Sequence, residues 1–190
     1  MQWVAKNMKN EVGLYYHGCS EDGRPNGVVW LRGVGWYAMA QVDMLALMDE
    51  GEKKEVMKTQ LKEFFDAMLN YQDWSTGMWY NIVYPVGTHD YNKLETSGSA
   101  MMAYSLLRAY NLGLVSDEKY KKAGIRAFNG IVNNKLKTNK YKNLYLKDIY
   151  IASNVKNVVS DYGKYWGYLQ DDAKGIAPLI LATVQLINAK

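Results

Sequence analysis

The chain is poor in the residues that build metal and redox centres. Cys19 is the one cysteine in 190 residues, and His17 and His89 are the only histidines. A single cysteine makes no disulfide framework and no thiolate metal site, and two imidazoles argue against a histidine cluster. No metal site built on cysteine or histidine is therefore expected. Three prolines leave no Pro-rich linker, so residues 1–190 read as one domain. No apolar run approaches the roughly 20 residues of a membrane span, and Met1 is not followed by a signal-peptide pattern. The net charge is only +4. The one basic run, NNKLKTNKYKN from Asn133 to Asn143, reads as a solvated loop. Neither a membrane nor a nucleic acid is an expected partner.

What is abundant is aromatic and polar at once. Sixteen Tyr and six Trp stand against three Phe. Such rings suit sites with one apolar and one wet side, including surfaces that stack on sugars; interior rings with one hydrogen bond are the plainer alternative.

The periodicity is helical. KKEVMKTQLKEFFDAMLNYQ and SDEKYKKAGIRAFNGIVNNK each carry apolar residues at 3–4 spacing, and Ser116 is the expected N-cap of the second. Between them lie GWYAMAQVDMLALM, GSAMMAYSLLRAYNLG and GIAPLILATVQLINA, apolar on nearly every side and each expected to begin at its glycine. Helices of that kind are buried. The loops repeat: VGLYYHG (Val12 to Gly18) is echoed by TGMWYNI (Thr76 to Ile82), 64 positions on. That period fits one helical hairpin plus a long loop. The pattern predicts an all-α fold, a partial α/α toroid with inner and outer helices, long aromatic loops and room for short strands.

Candidate site residues cluster where an inner helix begins. In WLRGVGW, Arg32 stands between Trp30 and Trp36. A cleft arginine offers a planar fork to a carboxylate while indoles stack on it or on a ligand ring. The alternative is an exposed arginine paired with Glu21 or Asp22. His17 either meets a ligand hydroxyl or packs. Thr96, Ser97 and Ser99 around Gly98 either reach the cleft or cap a helix. His89 reads as a loop residue. No spacing selects a carboxylate pair among Asp22, Asp90, Glu95, Asp148, Asp161, Asp171 and Asp172; Glu95 is the candidate, with capping as its alternative.

GLYYHG, WLRGVGWYAMAQVDML, ETSGSAMMAYSLLRAYNLGLV and YWGYLQDDAKGIAPLILA, in that order, resemble the second half of unsaturated rhamnogalacturonyl hydrolases. These are glycoside hydrolase family 105, related to the unsaturated glucuronyl hydrolases of family 88. The resemblance implies a partial (α/α)6 barrel and hydrolysis of oligosaccharides that end in a 4,5-unsaturated galacturonic or glucuronic acid. In that chemistry an aspartic acid protonates C4 of the vinyl ether while water adds at C5, without a cofactor. It implies that His17, Trp30, Arg32 and Trp36 line the sugar subsite; Thr96 and Ser97 join them as substrate-binding candidates from their place at the helix entrance. The acid/base aspartate is expected upstream of Met1, so no catalytic residue is assigned here. Cys19 stands where a bulkier pocket residue is expected. The expected partners are an oligosaccharide and either a second copy of the chain or a missing N-terminal half. The compartment is expected to be the cytoplasm, unless an export signal lies upstream. The rival reading is a non-catalytic carbohydrate-binding or assembly module derived from the same barrel.

Overall fold

The structure, a computed structural model, describes residues 2–85, 91–164 and 167–189. After a short helix α1 (Gln2–Asn7) and strand β1 (Val29–Trp30), α2 (Leu31–Leu47) and α3 (Glu52–Leu69) form the first hairpin. Strand β2 (Ile82–Tyr84) precedes the second hairpin, α4 (Thr96–Asn111) and α5 (Glu118–Asn134). Strands β3 (Leu136–Thr138), β4 (Leu144–Leu146) and β5 (Ile149–Tyr150), the short α6 (Asp161–Lys164) and β6 (Tyr168–Leu169) lead into α7 (Ala173–Asn188).

Helix α4 packs against α2 on one flank and α7 on the other, with α5 behind it. This is the predicted row of inner helices backed by outer ones. The amphipathic α3 turns Leu61, Phe64, Phe65 and Met68 inward. They join Val42, Leu45, Met101, Met102 and Leu106 from the inner row in the main core. Two tyrosines show the plainer role: Tyr104 donates to Asp43 at 2.6 Å and Tyr120 to Asp66 at 2.7 Å, each closing one polar contact at a helix seam.

Three expectations need correction. The inner helices do not begin at their glycines; each starts two to four residues earlier. The glycines serve close packing instead: a Cβ on Gly35 would lie 2.9 Å from the Met101 sulfur, one on Gly98 2.4 Å from Leu31 Cγ, and one on Gly175 2.6 Å from Ile149. Asp117, not Ser116, caps α5, accepting from the Lys119 N–H. The basic run forms a hairpin, with β3 and β4 paired antiparallel from Leu136↔Leu146 to Thr138↔Leu144. Helix α7 is only half covered, leaving Ile180, Leu181, Val184 and Ile187 exposed.

The loop repeat is physical. Gly13 and Gly77 both take positive φ, at 88° and 76°, and each closes a turn by donating its N–H to the carbonyl of Asn10 or Asp73. The returning segments place β1 antiparallel to β2, joining the two hairpins ahead of their inner helices.

Gly98→Ala gains roughly 1 kcal/mol of helix propensity but drives a methyl into Leu31 and to 3.1 Å from the Arg32 backbone nitrogen. Overpacking of this kind costs about 1–3 kcal/mol. We expect a net loss of stability in urea, read as a lower midpoint; an unchanged or raised midpoint contradicts the tight seam.

Candidate functional site

Trp30 ends β1 and opens α2. Its indole Nε1 donates to Asn81 Oδ1 at 2.9 Å, and the next backbone N–H, of Leu31, donates to the Asn81 carbonyl at 2.9 Å. One residue of the second loop thus orients the ring and the helix start together. The Arg32 guanidinium carbon then lies 4.7 Å from the Trp30 ring centroid, a cation–π distance. Unlike α4, α5 and α7, helix α2 has no side-chain cap.

Arg32 is 3% exposed. Its Nη1 donates to Ser97 Oγ at 3.1 Å and to the Tyr150 carbonyl at 2.5 Å. The counter-charge is Glu95, fully buried, with Oε1 4.0 Å from Nη1. Burial pushes the Arg32 pKa down, and Glu95 and Asp172 oppose that. The expected alternative partner Asp22 is bound instead to Arg24 at 2.6 Å.

Glu95 is the N-cap of α4. Its Oε1 accepts from the Ser97 N–H (3.0 Å), the Ser97 hydroxyl (2.7 Å) and the Tyr150 N–H (3.0 Å); Oε2 accepts from the Gly98 N–H (2.7 Å). A carboxylate so saturated and closed to water caps and neutralises, which decides between the two roles the sequence left open. Three other loop acids are also committed: Asp148 pairs with Lys135 at 2.6 Å, Asp171 accepts from the Leu146 N–H, and Asp172 caps α7.

His17 is half-buried, its ring 4.7 Å from Trp30 and 5.5 Å from Tyr162 between centroids. Nδ1 lies 2.7 Å from the Tyr162 hydroxyl, which also accepts from Asn26 Nδ2 at 2.8 Å and from the Lys156 N–H at 3.3 Å. With two N–H donors on its oxygen, the Tyr162 proton goes to His17 Nδ1. That assigns the neutral Nε2–H tautomer, leaving Nε2 as a donor. Burial, with the Arg32 charge second, pushes the imidazole pKa down to about 4.

The structure therefore brings His17, Trp30, Arg32 and Ser97 into one cluster. Trp36, one turn beyond Arg32 on α2, is 56% exposed. Thr96 is buried, and its hydroxyl donates to the Lys147 carbonyl at 2.6 Å. Neither the Thr96 nor the Ser97 hydroxyl is open to water. Cys19 is exposed in the loop beyond the cluster. His89 and Asp90 lie outside the described residues. Sequence reasoning missed Asn26, which lies between His17 and Trp30, and Asn81, Tyr150 on β5 and Tyr162 on α6, which reach the cluster from distant segments. Asn26, in the turn PNG, gave a turn signal; the others gave none. Among the described residues no group of three or more His, Cys, Asp or Glu is placed to hold a metal ion, and no helix is long and apolar enough to cross a membrane.

A model of Glycosyl Hydrolase Family 88 matches residues 1–190. The chain belongs to this family. Two curated relatives, Protein Atu3128 of Agrobacterium fabrum and a 24.9 kDa protein in the picA locus of Rhizobium radiobacter, are each 30% identical over 189 residues, covering 90% of this chain and 80% of the relative. Among solved structures, a family 105 glycoside hydrolase of C. acetobutylicum superposes with TM-score 0.87 at 25% identity, covering 98% of this chain and 56% of that one. A possible family 105 member from Salmonella enterica gives 0.81 at 25% identity, covering 98% and 48%. A family 88 hydrolase of Bacteroides vulgatus shares the fold, at TM-score 0.72 and 21% identity. The chain thus spans about half the length of these solved structures and has the fold of a partial (α/α)6 barrel. The family is one of glycoside hydrolases acting on oligosaccharides.

The half-buried His17 of this family 88 chain gives a pH test. Between about pH 4 and 6.5 the unfolded chain binds a proton that folded His17 refuses. Its stabilising contribution is complete above about pH 6.5 and is lost as pH falls through that window, by at most about 1.4 kcal/mol per pH unit. Urea midpoints at pH 7 and pH 5 for the native chain and His17→Asn check this. We expect a shallower pH dependence in the variant; identical slopes contradict the neutral imidazole.

Proposed function

We propose that this chain supplies the sugar-acid-binding wall of an unsaturated uronyl hydrolase. Such an enzyme releases a terminal 4,5-unsaturated galacturonic or glucuronic acid from oligosaccharides by hydration of its vinyl ether. The observation that carries the reading is Arg32. All its hydrogen bonds among the described residues run from Nη1, while Nε and Nη2 take no partner. An almost fully buried guanidinium with an unused two-nitrogen edge suits a carboxylate, which binds such a fork bidentately. Beside it, the exposed indole of Trp36 offers a stacking face and His17 Nε2–H a donor for a hydroxyl. Thr96 and Ser97 act from behind, Ser97 by bracing Arg32. The general acid is supplied from outside residues 1–190, because the buried carboxylate nearest the cluster is saturated and His17 is neutral.

The experiment uses an unsaturated digalacturonide, its methyl ester, and the 190-residue chain. We expect binding that favours the free acid at least tenfold, with no loss of the C4=C5 absorbance above background, since general acid catalysis is worth ~10²–10⁴-fold. Arg32→Lys abolishes the preference, because a point charge lacks the fork. Equal binding of acid and ester defeats the uronate reading, and robust turnover defeats the assignment of the acid elsewhere. Binding without turnover in every longer form of the protein would favour the carbohydrate-binding alternative.

A second observation bears on partners. Ile180, Val184 and Ile187 form an exposed apolar stripe on α7, with Ile187 74% exposed. We infer that another helix covers this face in the working protein, and that the chain alone self-associates through it. Light scattering across a dilution series tests this: we expect oligomers that Val184→Glu with Ile187→Glu converts to monomers. A native monomer at micromolar concentration overturns it.

A further inference from the structure

Burying a guanidinium calls for a negative partner, yet a carboxylate clasped onto the fork would close it to a ligand. The surroundings of Arg32 resolve this conflict. Glu95 Oε1 stands 4.0 Å from Nη1, beyond hydrogen-bond reach. The Ser97 hydroxyl lies between them, donating to Oε1 at 2.7 Å and accepting from Nη1 at 3.1 Å. Tyr150 forms a second bridge. Its N–H donates to Glu95 Oε1 at 3.0 Å and its carbonyl accepts from Arg32 Nη1 at 2.5 Å. Both groups that anchor Nη1 are thus themselves anchored by the same carboxylate oxygen.

We propose that Glu95 is a positioning residue: acting through Ser97 and the Tyr150 backbone, it fixes the plane of the Arg32 guanidinium and leaves the Nε/Nη2 edge open for a carboxylate. Its countercharge reaches Arg32 from behind, relayed by a hydroxyl and a peptide. The functional meaning rests on the uronate reading of Arg32, whereas the positional claim stands on the contacts alone. A carboxylate that only capped α4 would need the Ser97 and Gly98 N–H groups and nothing from β5 or α2.

Glu95→Asp separates the two roles. Aspartate is a favoured N-cap and keeps the charge, but it is one methylene too short to hold the Tyr150 N–H as well. The readout is the ¹⁵N spectrum of the Arg32 side chain in the full 190-residue chain, assigned by its disappearance in Arg32→Lys. In the native chain we expect resolved Nη1 and Nη2 signals, because a doubly anchored nitrogen rotates slowly. In Glu95→Asp we expect those signals to merge while unfolding remains cooperative, and the preference for the free acid over its methyl ester to fall at least tenfold. An Arg32 spectrum unchanged in Glu95→Asp overturns the proposal. If that variant does not fold, Ser97→Ala removes only the intervening hydroxyl; merged signals there support the relay and an unchanged spectrum overturns it. Should the signals merge while the native chain never favoured acid over ester, positioning holds and the uronate reading fails.

Discussion

Arg32 and Glu95 are opposite charges taken out of water together, and the rest of the mouth is arranged around the cost of doing so. Desolvating two such ions costs several kcal/mol each, and their attraction seldom returns more than that, so the pair is a poor source of net stability. Removing one partner, however, strands the other and costs about 3–5 kcal/mol. The contacts show how the chain meets this constraint. Glu95 spends its lone pairs on three backbone N–H groups and a hydroxyl, and Arg32 spends one nitrogen on a hydroxyl and a carbonyl. Three segments, the starts of α2 and α4 and strand β5, are thereby tied to one point. Gly98 lets the two helix starts come close enough for the tie, since any larger residue would meet Leu31.

The duplicated hairpin explains why those starts meet at all. In each copy a left-handed glycine ends a turn anchored on an Asx residue, Asn10 or Asp73, and the chain then returns toward the next inner helix. Successive contacts between α2 and α4 run in the same direction along both, from Arg32–Ser97 near their starts to Asp43–Arg108 further on. The two inner helices are therefore parallel, and their first turns lie side by side. Asn81 links the copies, because it belongs to the second loop yet holds Trp30 and Leu31 of the first.

Much of this was legible in the sequence because it rests on short-range patterns. The 3–4 spacing of Leu61, Phe64, Phe65 and Met68 identified an outer helix, and the 64-residue echo of VGLYYHG identified the repeat. WLRGVGW marked the cluster, since an arginine among indoles and glycines serves no packing purpose. What escaped depends on contacts between distant segments. Tyr162 reaches His17 across 145 positions and Tyr150 reaches Arg32 across 118. Neither tyrosine differs locally from fourteen others. Glu95 was seen but had two readings, and only its complete burial chooses between them. The helix starts were misplaced because glycine was read as a boundary signal, when its cause is close approach of a neighbouring side chain.

The same contacts divide the chemical labour. A wall that binds an anionic sugar wants a fixed positive edge, a neutral donor and an apolar face. Arg32, the Nε2–H tautomer of His17 and the Trp36 indole have those characters. A group that protonates a carbon must hold a proton near neutral pH and face the substrate. His17 is held neutral by burial and by the neighbouring guanidinium. Glu95 has both oxygens occupied by four donors and is closed to water. The contacts that steady Arg32 therefore also occupy Glu95, while His17 stays neutral beside them. On the uronate reading proposed above, the general acid comes from outside residues 1–190, far enough from Arg32 that the guanidinium does not hold it ionised.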